Sequence, residues 1–174
     1  MRLPLLSITK RLLMSLVLCS SLSQAGKPPL EHAPDWLVKT TDGQTLSLQQ
    51  ELHKGQKVVM LFWATWCRYC KQLLPEIQML SEQMENAGEK VTFVTFNIWQ
   101  NSGESASPLN YFLTQNIKLP LVMRADMIAA KYHLKTTPGI FIVAADREIL
   151  YRYTPGSTTQ EVVAQLEQTL SDTE

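Results

Sequence analysis

The chain has 174 residues, 45% of them apolar and 18% charged, with 16 Lys and Arg against 16 Asp and Glu. That length suits one domain with a substantial buried core. The charge balance leaves no basic surface for nucleic acid and no polybasic patch for a membrane.

The first 25 residues read as an export signal. Arg2, Lys10 and Arg11 form a positive start, Leu12 to Leu22 an apolar stretch broken only by small Ser and Cys residues, and Ser23-Gln24-Ala25 a small-residue cleavage site before Gly26. The apolar run is shorter than the roughly 18 residues a membrane anchor needs. Val17 and Leu18 are too bulky for Cys19 to be a lipidation site. Cleavage after Ala25 would leave 13 basic and 16 acidic side chains, and Cys67 and Cys70 as the whole cysteine complement. The expected destination is the periplasm of a Gram-negative cell, a disulfide-permissive compartment.

From Gly26 to Pro34 the chain is a polar, proline-bearing lead-in. Trp36–Val38 and Thr45–Leu48 pair as a short hairpin about Asp42-Gly43, a dipeptide suited to tight turns. Val58–Trp63 is a continuous apolar run rich in β-branched and aromatic residues, hence a buried strand. Leu73, Ile77, Leu80 and Met84 then recur at helical spacing up to Asn86-Ala87-Gly88, where Asn and Gly end the helix. Val91–Ile98 is the next strand. A polar loop covers 101–107, and Pro108 opens a helix to about Gln115. Leu119–Met123 is a short extended piece and Ala125–Tyr132 a helix. Ile140–Ala144 and Glu148–Tyr153 form a hairpin turning near Asp146-Arg147. A last helix spans Thr159–Leu170, its apolar face made by Val162, Leu166 and Leu170. No repeat or low-complexity tract interrupts this order, which predicts an α/β sandwich, a mixed central sheet flanked by helices.

The strand-to-helix junction carries Cys67 and Cys70, two thiols spaced to act as a reversible two-electron switch. At a helix N-terminus the backbone amides and dipole favour an anion, and Arg68 adds a positive charge beside it. Both predict that Cys67 ionises below the free-thiol value of about 8.5. Cys67 is then the nucleophile and Cys70, deeper in the helix, the resolving thiol. Arg68 and Tyr69, lying between them, tune the thiolate and thereby the redox poise. A purely structural disulfide is the plainer alternative. Structural zinc needs about four ligands, and His32, His53 and His133 have no ligand spacing, so no metal is expected there.

The run Phe62-Trp63-Ala64-Thr65-Trp66-Cys67-Arg68-Tyr69-Cys70, with Pro75 five places on, resembles the thioredoxin superfamily and within it the exported TlpA-like thiol-disulfide oxidoreductases. Thr137-Pro138-Gly139, ahead of the apolar run Ile140–Val143, matches a second block of that family. Ala33-Pro34-Asp35-Trp36 through Asp42-Gly43 resembles the opening segment of the TlpA branch. The likeness covers about residues 30 to 172. It implies a thioredoxin-like sandwich with an N-terminal β-hairpin extension and an added central helical segment. It further implies a cis Thr137–Pro138 bond opposite the disulfide, whose backbone, with Trp66, contacts an extended substrate, while Trp63 belongs to the core. Pro75 is either a chance kink or a bend that presents the first helical turn.

Three positions depart from the family pattern. Leu61 replaces a buried Asp, Thr95 its lysine partner, and Leu73 a Glu found in many TlpA-like relatives, so no carboxylate is evident to take the Cys70 proton; a water, the substrate or Glu76 are the candidates left. The expected activity is reduction of protein disulfides by an exported monomer without cofactor. Protein thiols and disulfides are its substrates, and a membrane electron donor or other redox partner regenerates it. Oxidase or isomerase action at the same pair is the first alternative. A Cu(I)-binding or chaperone module using both thiols is the second, and it leaves Thr137-Pro138 unexplained. A peroxidase fits less well still, for want of an isolated cysteine with Pro and Thr partners.

Overall fold

The computed structural model of the protein describes residues 30–100 and 107–172. The expected leader, with Cys19 and the cleavage point after Ala25, lies outside the described residues, as does the loop 101–106. In chain order the elements are β1 (Leu37–Lys39), β2 (Thr45–Ser47), α1 (Leu48–His53), β3 (Lys57–Trp63), α2 (Arg68–Ala87) and β4 (Val91–Asn97). They continue with α3 (Pro108–Thr114), β5 (Leu121–Val122), α4 (Asp126–Lys131), β6 (Gly139–Val143), β7 (Ile149–Arg152) and α5 (Thr159–Ser171).

Five strands make one mixed sheet in the order β5-β4-β3-β6-β7, and β1-β2 stand apart as an antiparallel hairpin. β3, β4 and β5 run parallel, β6 antiparallel to β3, and β7 antiparallel to β6. β3 is therefore central and buried on both faces, which is why its sequence is apolar without a break. Val59, Leu61 and Trp63 point into a core shared with Leu73, Leu74 and Ile77 of α2 and with Val162, Leu166 and Leu170 of α5. Val58, Met60 and Phe62 point into a second core with Trp36, Leu48, Ala129 and Tyr132. The two-residue period of the strand thus divides one apolar run between two layers.

Helix ends follow local chemistry. α2 closes on Gly88 in the left-handed region (φ 76°), and the Glu89 N–H bonds back to the Met84 carbonyl at 3.0 Å. Thr158 and Glu161 form a reciprocal capping box at the start of α5. No periodic signal in the sequence marks α1, which lies between the hairpin and β3. There Ser47 caps α1, its hydroxyl accepting the Gln50 N–H at 3.4 Å. The extended piece near Leu121 becomes the edge of the main sheet, pairing Thr95 with Leu121 and Phe96 with Val122. The lead-in is fastened too: the Arg147 guanidinium donates to the Ala33 carbonyl at 2.8 and 3.1 Å, and Ala33 N–H to the Arg147 carbonyl at 2.8 Å. Among the described residues no helix is long and apolar enough to cross a membrane.

Phe62 is the hub of the second core, stacked on Phe96 at 4.8 Å and edge-on to Phe141 at 5.9 Å. Phe62→Ala is expected to lower unfolding stability by about 3–5 kcal/mol, read from the shift in urea midpoint at unchanged slope.

Candidate active site

Cys67 is the N-cap residue of the 20-residue helix α2. Its Sγ accepts the Cys70 N–H at 3.1 Å, one of the amides that a helix start leaves without an internal partner. The two sulfurs are joined in a disulfide, with Cα atoms 5.3 Å apart. Cys70 is fully buried and Cys67 is 6% exposed, so Cys67 is the more accessible of the pair, though only its edge reaches solvent. The turn that delivers it is short: the Cys67 N–H bonds to the Ala64 carbonyl at 3.1 Å, directly after β3.

Thr137-Pro138 arrives at the same end of the sheet. Gly139, the first residue of β6, pairs with Phe62, next to the last residue of β3. The Thr137–Pro138 peptide bond is cis, with Pro138 buried and Thr137 half-buried. A Cβ at Gly139 would stand 2.5 Å from Leu134 Cδ2, so a larger residue there would have to displace the Leu134 side chain.

Arg68 is exposed and Trp66 is 47% exposed, on either side of Cys67 in the chain. The Trp66 indole N–H donates to the Trp99 carbonyl at 3.0 Å. Trp63 is fully buried, as expected of a core residue. Tyr69 does more than separate the cysteines. Its hydroxyl donates to the Ser157 carbonyl at 2.8 Å, and its ring stacks on Tyr153 at 6.2 Å, tying the first turn of α2 to the β7–α5 loop. Burial, with the neighbouring Tyr153 and Tyr69 phenols, pushes the adjacent Tyr151 up to about 12.

Pro75 lies inside α2. It has no N–H to give the carbonyl four residues earlier, that of Lys71. The Tyr111 hydroxyl of α3 supplies the missing donor, at 3.0 Å, and the Lys71 ammonium lies 5.6 Å from the Tyr111 ring centre. The added helical segment is thereby fastened to the active-site helix one residue past Cys70. Sequence reasoning missed Tyr111. Pro75 marks Lys71 as the carbonyl in need, but nothing local names a donor 40 residues away.

The surroundings of Cys70 are apolar. Leu61 and Leu73 belong to its core cluster. Thr95 is buried, with its hydroxyl donating to the Pro120 carbonyl at 2.8 Å. Glu76 is six residues, about 240° of helical turn, from Cys70 and lines an outer groove of about 430 Å³ with Tyr69, Gln72 and Thr158–Gln160.

A mixed five-stranded sheet with a disulfide at the first turn of the helix after its central strand, and a cis-proline just before the neighbouring antiparallel strand, is the thioredoxin fold. Residues 29–152 match the model of the AhpC/TSA family, and the chain belongs to that family. It is 30% identical over 116 residues to sporulation thiol-disulfide oxidoreductase A of Bacillus subtilis, covering 66% of this chain and 67% of that one. It is 29% identical over 113 residues to the thioredoxin-like protein YneN of the same organism, covering 65% of this chain. The match spans 64% of YneN, a little under two thirds of its length. A solved thioredoxin-family thiol:disulfide interchange protein from Chlorobium tepidum superposes with a TM-score of 0.65 at 21% identity, over 84% of this chain and 100% of that one. The relatives support a thiol-disulfide oxidoreductase function; the Chlorobium likeness shows the fold.

Tyr111→Phe removes only the hydroxyl that meets the Lys71 carbonyl. The expected cost is about 0.5–1.5 kcal/mol in chemical unfolding, one intramolecular hydrogen bond. The α2 amides just after Pro75 should also exchange faster with solvent.

Proposed function

We propose that the protein is an exported thiol-disulfide oxidoreductase that reduces disulfides in other proteins. The observation that carries the reading is the Cys67–Cys70 disulfide at the start of α2, with a backbone amide already directed at Cys67 Sγ. Its relatives' names, which include thiol-disulfide oxidoreductase, support the same chemistry. The composition of residues 1–25 supports export, with a mature chain from Gly26.

In the reduced protein the Cys67 thiolate attacks one sulfur of a client disulfide. An S–S bond forms between Cys67 and the client, and the client's other sulfur leaves as a thiolate. That thiolate is the base nearest in the sequence of events, since Leu61, Leu73 and Thr95 offer none, and it takes the Cys70 proton. Cys70 then attacks Cys67 Sγ, expelling the second client sulfur, which is protonated from solvent. Two electrons have passed from the Cys67–Cys70 pair to the client, and an external dithiol donor, such as a membrane redox partner, returns them. Trp66, Thr137 and Pro138 form the rim on which an extended client segment lies. Arg68 and the amides of α2 hold the Cys67 thiolate at neutral pH.

Equilibration of the pair against dithiothreitol and glutathione buffers tests the direction. A reductase requires a potential near the roughly −270 mV of thioredoxin, whereas one near the roughly −120 mV of a strong oxidant would make the protein a disulfide donor. No reversible couple would defeat both and leave thiol coordination of Cu(I), measured as metal retained after reductive purification.

The assignment of roles has its own test. A Cys70→Ser variant should accumulate a mixed disulfide with a client protein, visible on non-reducing gels. Cys67→Ser should trap none. The reverse pattern would exchange the two roles.

A further inference from the structure

Trp99 has a left-handed backbone, φ 50°. For a bulky residue that conformation is uncommon and costs about 1–2 kcal/mol relative to the ordinary regions, so it persists only where its surroundings impose it. Two bonds do so here. The Trp99 N–H donates to Oδ1 of Asp126 at 2.8 Å, and its carbonyl accepts the Trp66 indole N–H at 3.0 Å. A third bond runs in the opposite sense beside them, from the Ala125 N–H to the Asn97 carbonyl at 2.9 Å. The start of α4 and the end of β4 therefore clasp each other twice, and the left-handed residue inside the clasp presents its carbonyl to the aromatic side chain that precedes Cys67.

Helix capping does not account for Asp126. Ala125 occupies the N-cap of α4 and makes no side-chain cap bond. Asp126, the first residue of that helix, directs a carboxylate oxygen out of it to a loop amide 27 residues earlier. Nor does burial hold Trp66, which is 47% exposed. One hydrogen bond to a backbone carbonyl is the polar contact that fixes its indole.

We infer that Asp126 is a positioning residue for client recognition, holding the Trp99 carbonyl where it fixes the Trp66 indole beside Cys67. This rests on the proposed disulfide exchange and adds a specificity element to it. Small disulfides reach Cys67 without needing an ordered aromatic surface, whereas a protein segment lying on Trp66 loses contact area or ordering entropy if the indole swings free. The geometry also sets what can replace Asp126. Asn keeps the acceptor oxygen and Ala does not.

The test follows oxidation of the reduced full-length protein by stopped-flow fluorescence, with insulin as the protein disulfide and oxidised glutathione as the small one. Asp126→Ala is expected to slow exchange with insulin about three- to tenfold, the worth of one hydrogen bond, and to leave the glutathione rate and the reduction potential unchanged. Asp126→Asn should behave as the parent. In a Trp66→Phe background, which has no indole N–H, Asp126→Ala should have no further effect, because the two changes remove the same interaction. Equal slowing on both disulfides, or additive effects of the two substitutions, overturns the inference. A readout independent of activity separates this from the proposed function: hydrogen exchange at the Trp66 indole N–H, followed by ¹⁵N NMR, should quicken in Asp126→Ala and not in Asp126→Asn. A parent protein that exchanges with neither disulfide refutes the oxidoreductase activity, while unchanged indole exchange in Asp126→Ala refutes the clasp whatever the activity.

Discussion

The amide of Cys70 directed at the sulfur of Cys67 is the contact on which the remaining architecture converges. A helix start is the place in a backbone where several N–H groups point the same way without partners. To exploit it the chain must bring a cysteine to the N-cap and hold the first turn at the surface. β3 supplies the first requirement by running, buried on both faces, straight to the turn at Ala64. α2 supplies the second by its length, since its later apolar residues, Leu73 to Met84, anchor it in the core and leave the first turn to carry the chemistry.

Contacts around that turn come from distant parts of the chain. Tyr69 binds it to the loop before α5, through Ser157. Tyr111 binds the following turn to α3, at the carbonyl that Pro75 leaves open. Trp66 binds the preceding turn to the end of β4. The proline illustrates the logic. Inside an ordinary helix it would cost several kcal/mol, but a hydroxyl from the added helical segment restores the lost bond. The segment between β4 and β5 is thus part of the active-site scaffold.

The parts legible in the sequence were those encoded by local repetition. The double-faced burial of β3, the 3.6-residue spacing along α2 and α5, and the Asn-Ala-Gly stop of α2 each depend on residues within a few positions of one another. The pair Cys67–Cys70 was legible because two cysteines two residues apart at a strand-to-helix junction are a rare combination, whereas Thr137-Pro138 drew notice only through the resemblance to the thioredoxin superfamily. Less legible was whatever depends on a meeting between distant residues. α1 has only six residues and a serine cap, too short for a periodic signal. β5 has two residues, Leu121 and Val122, and becomes a strand only through its partners Thr95 and Phe96. Tyr69 reads in sequence as a spacer that tunes a thiol, yet its hydroxyl is committed to a carbonyl 88 residues on. The left-handed backbone at Trp99 has no sequence signal, since a tryptophan is among the last residues one would place there.

The three departures from the family pattern acquire a common physical sense in the structure. Leu61 and Leu73 lie in the core cluster that holds Cys70, and Thr95, its hydroxyl spent on the Pro120 carbonyl, offers no charge nearby. An ionised carboxylate in such a cluster would need partners that the cluster does not contain. In the proposed exchange Cys70, with apolar neighbours and no resident base, needs a thiolate released beside it to take its proton. The first step of exchange releases one. In the exchange proposed above, environment alone would impose the order: Cys67, at a helix terminus with an amide donor, would attack first, and Cys70, in an apolar core without a resident base, would wait for the client to provide one.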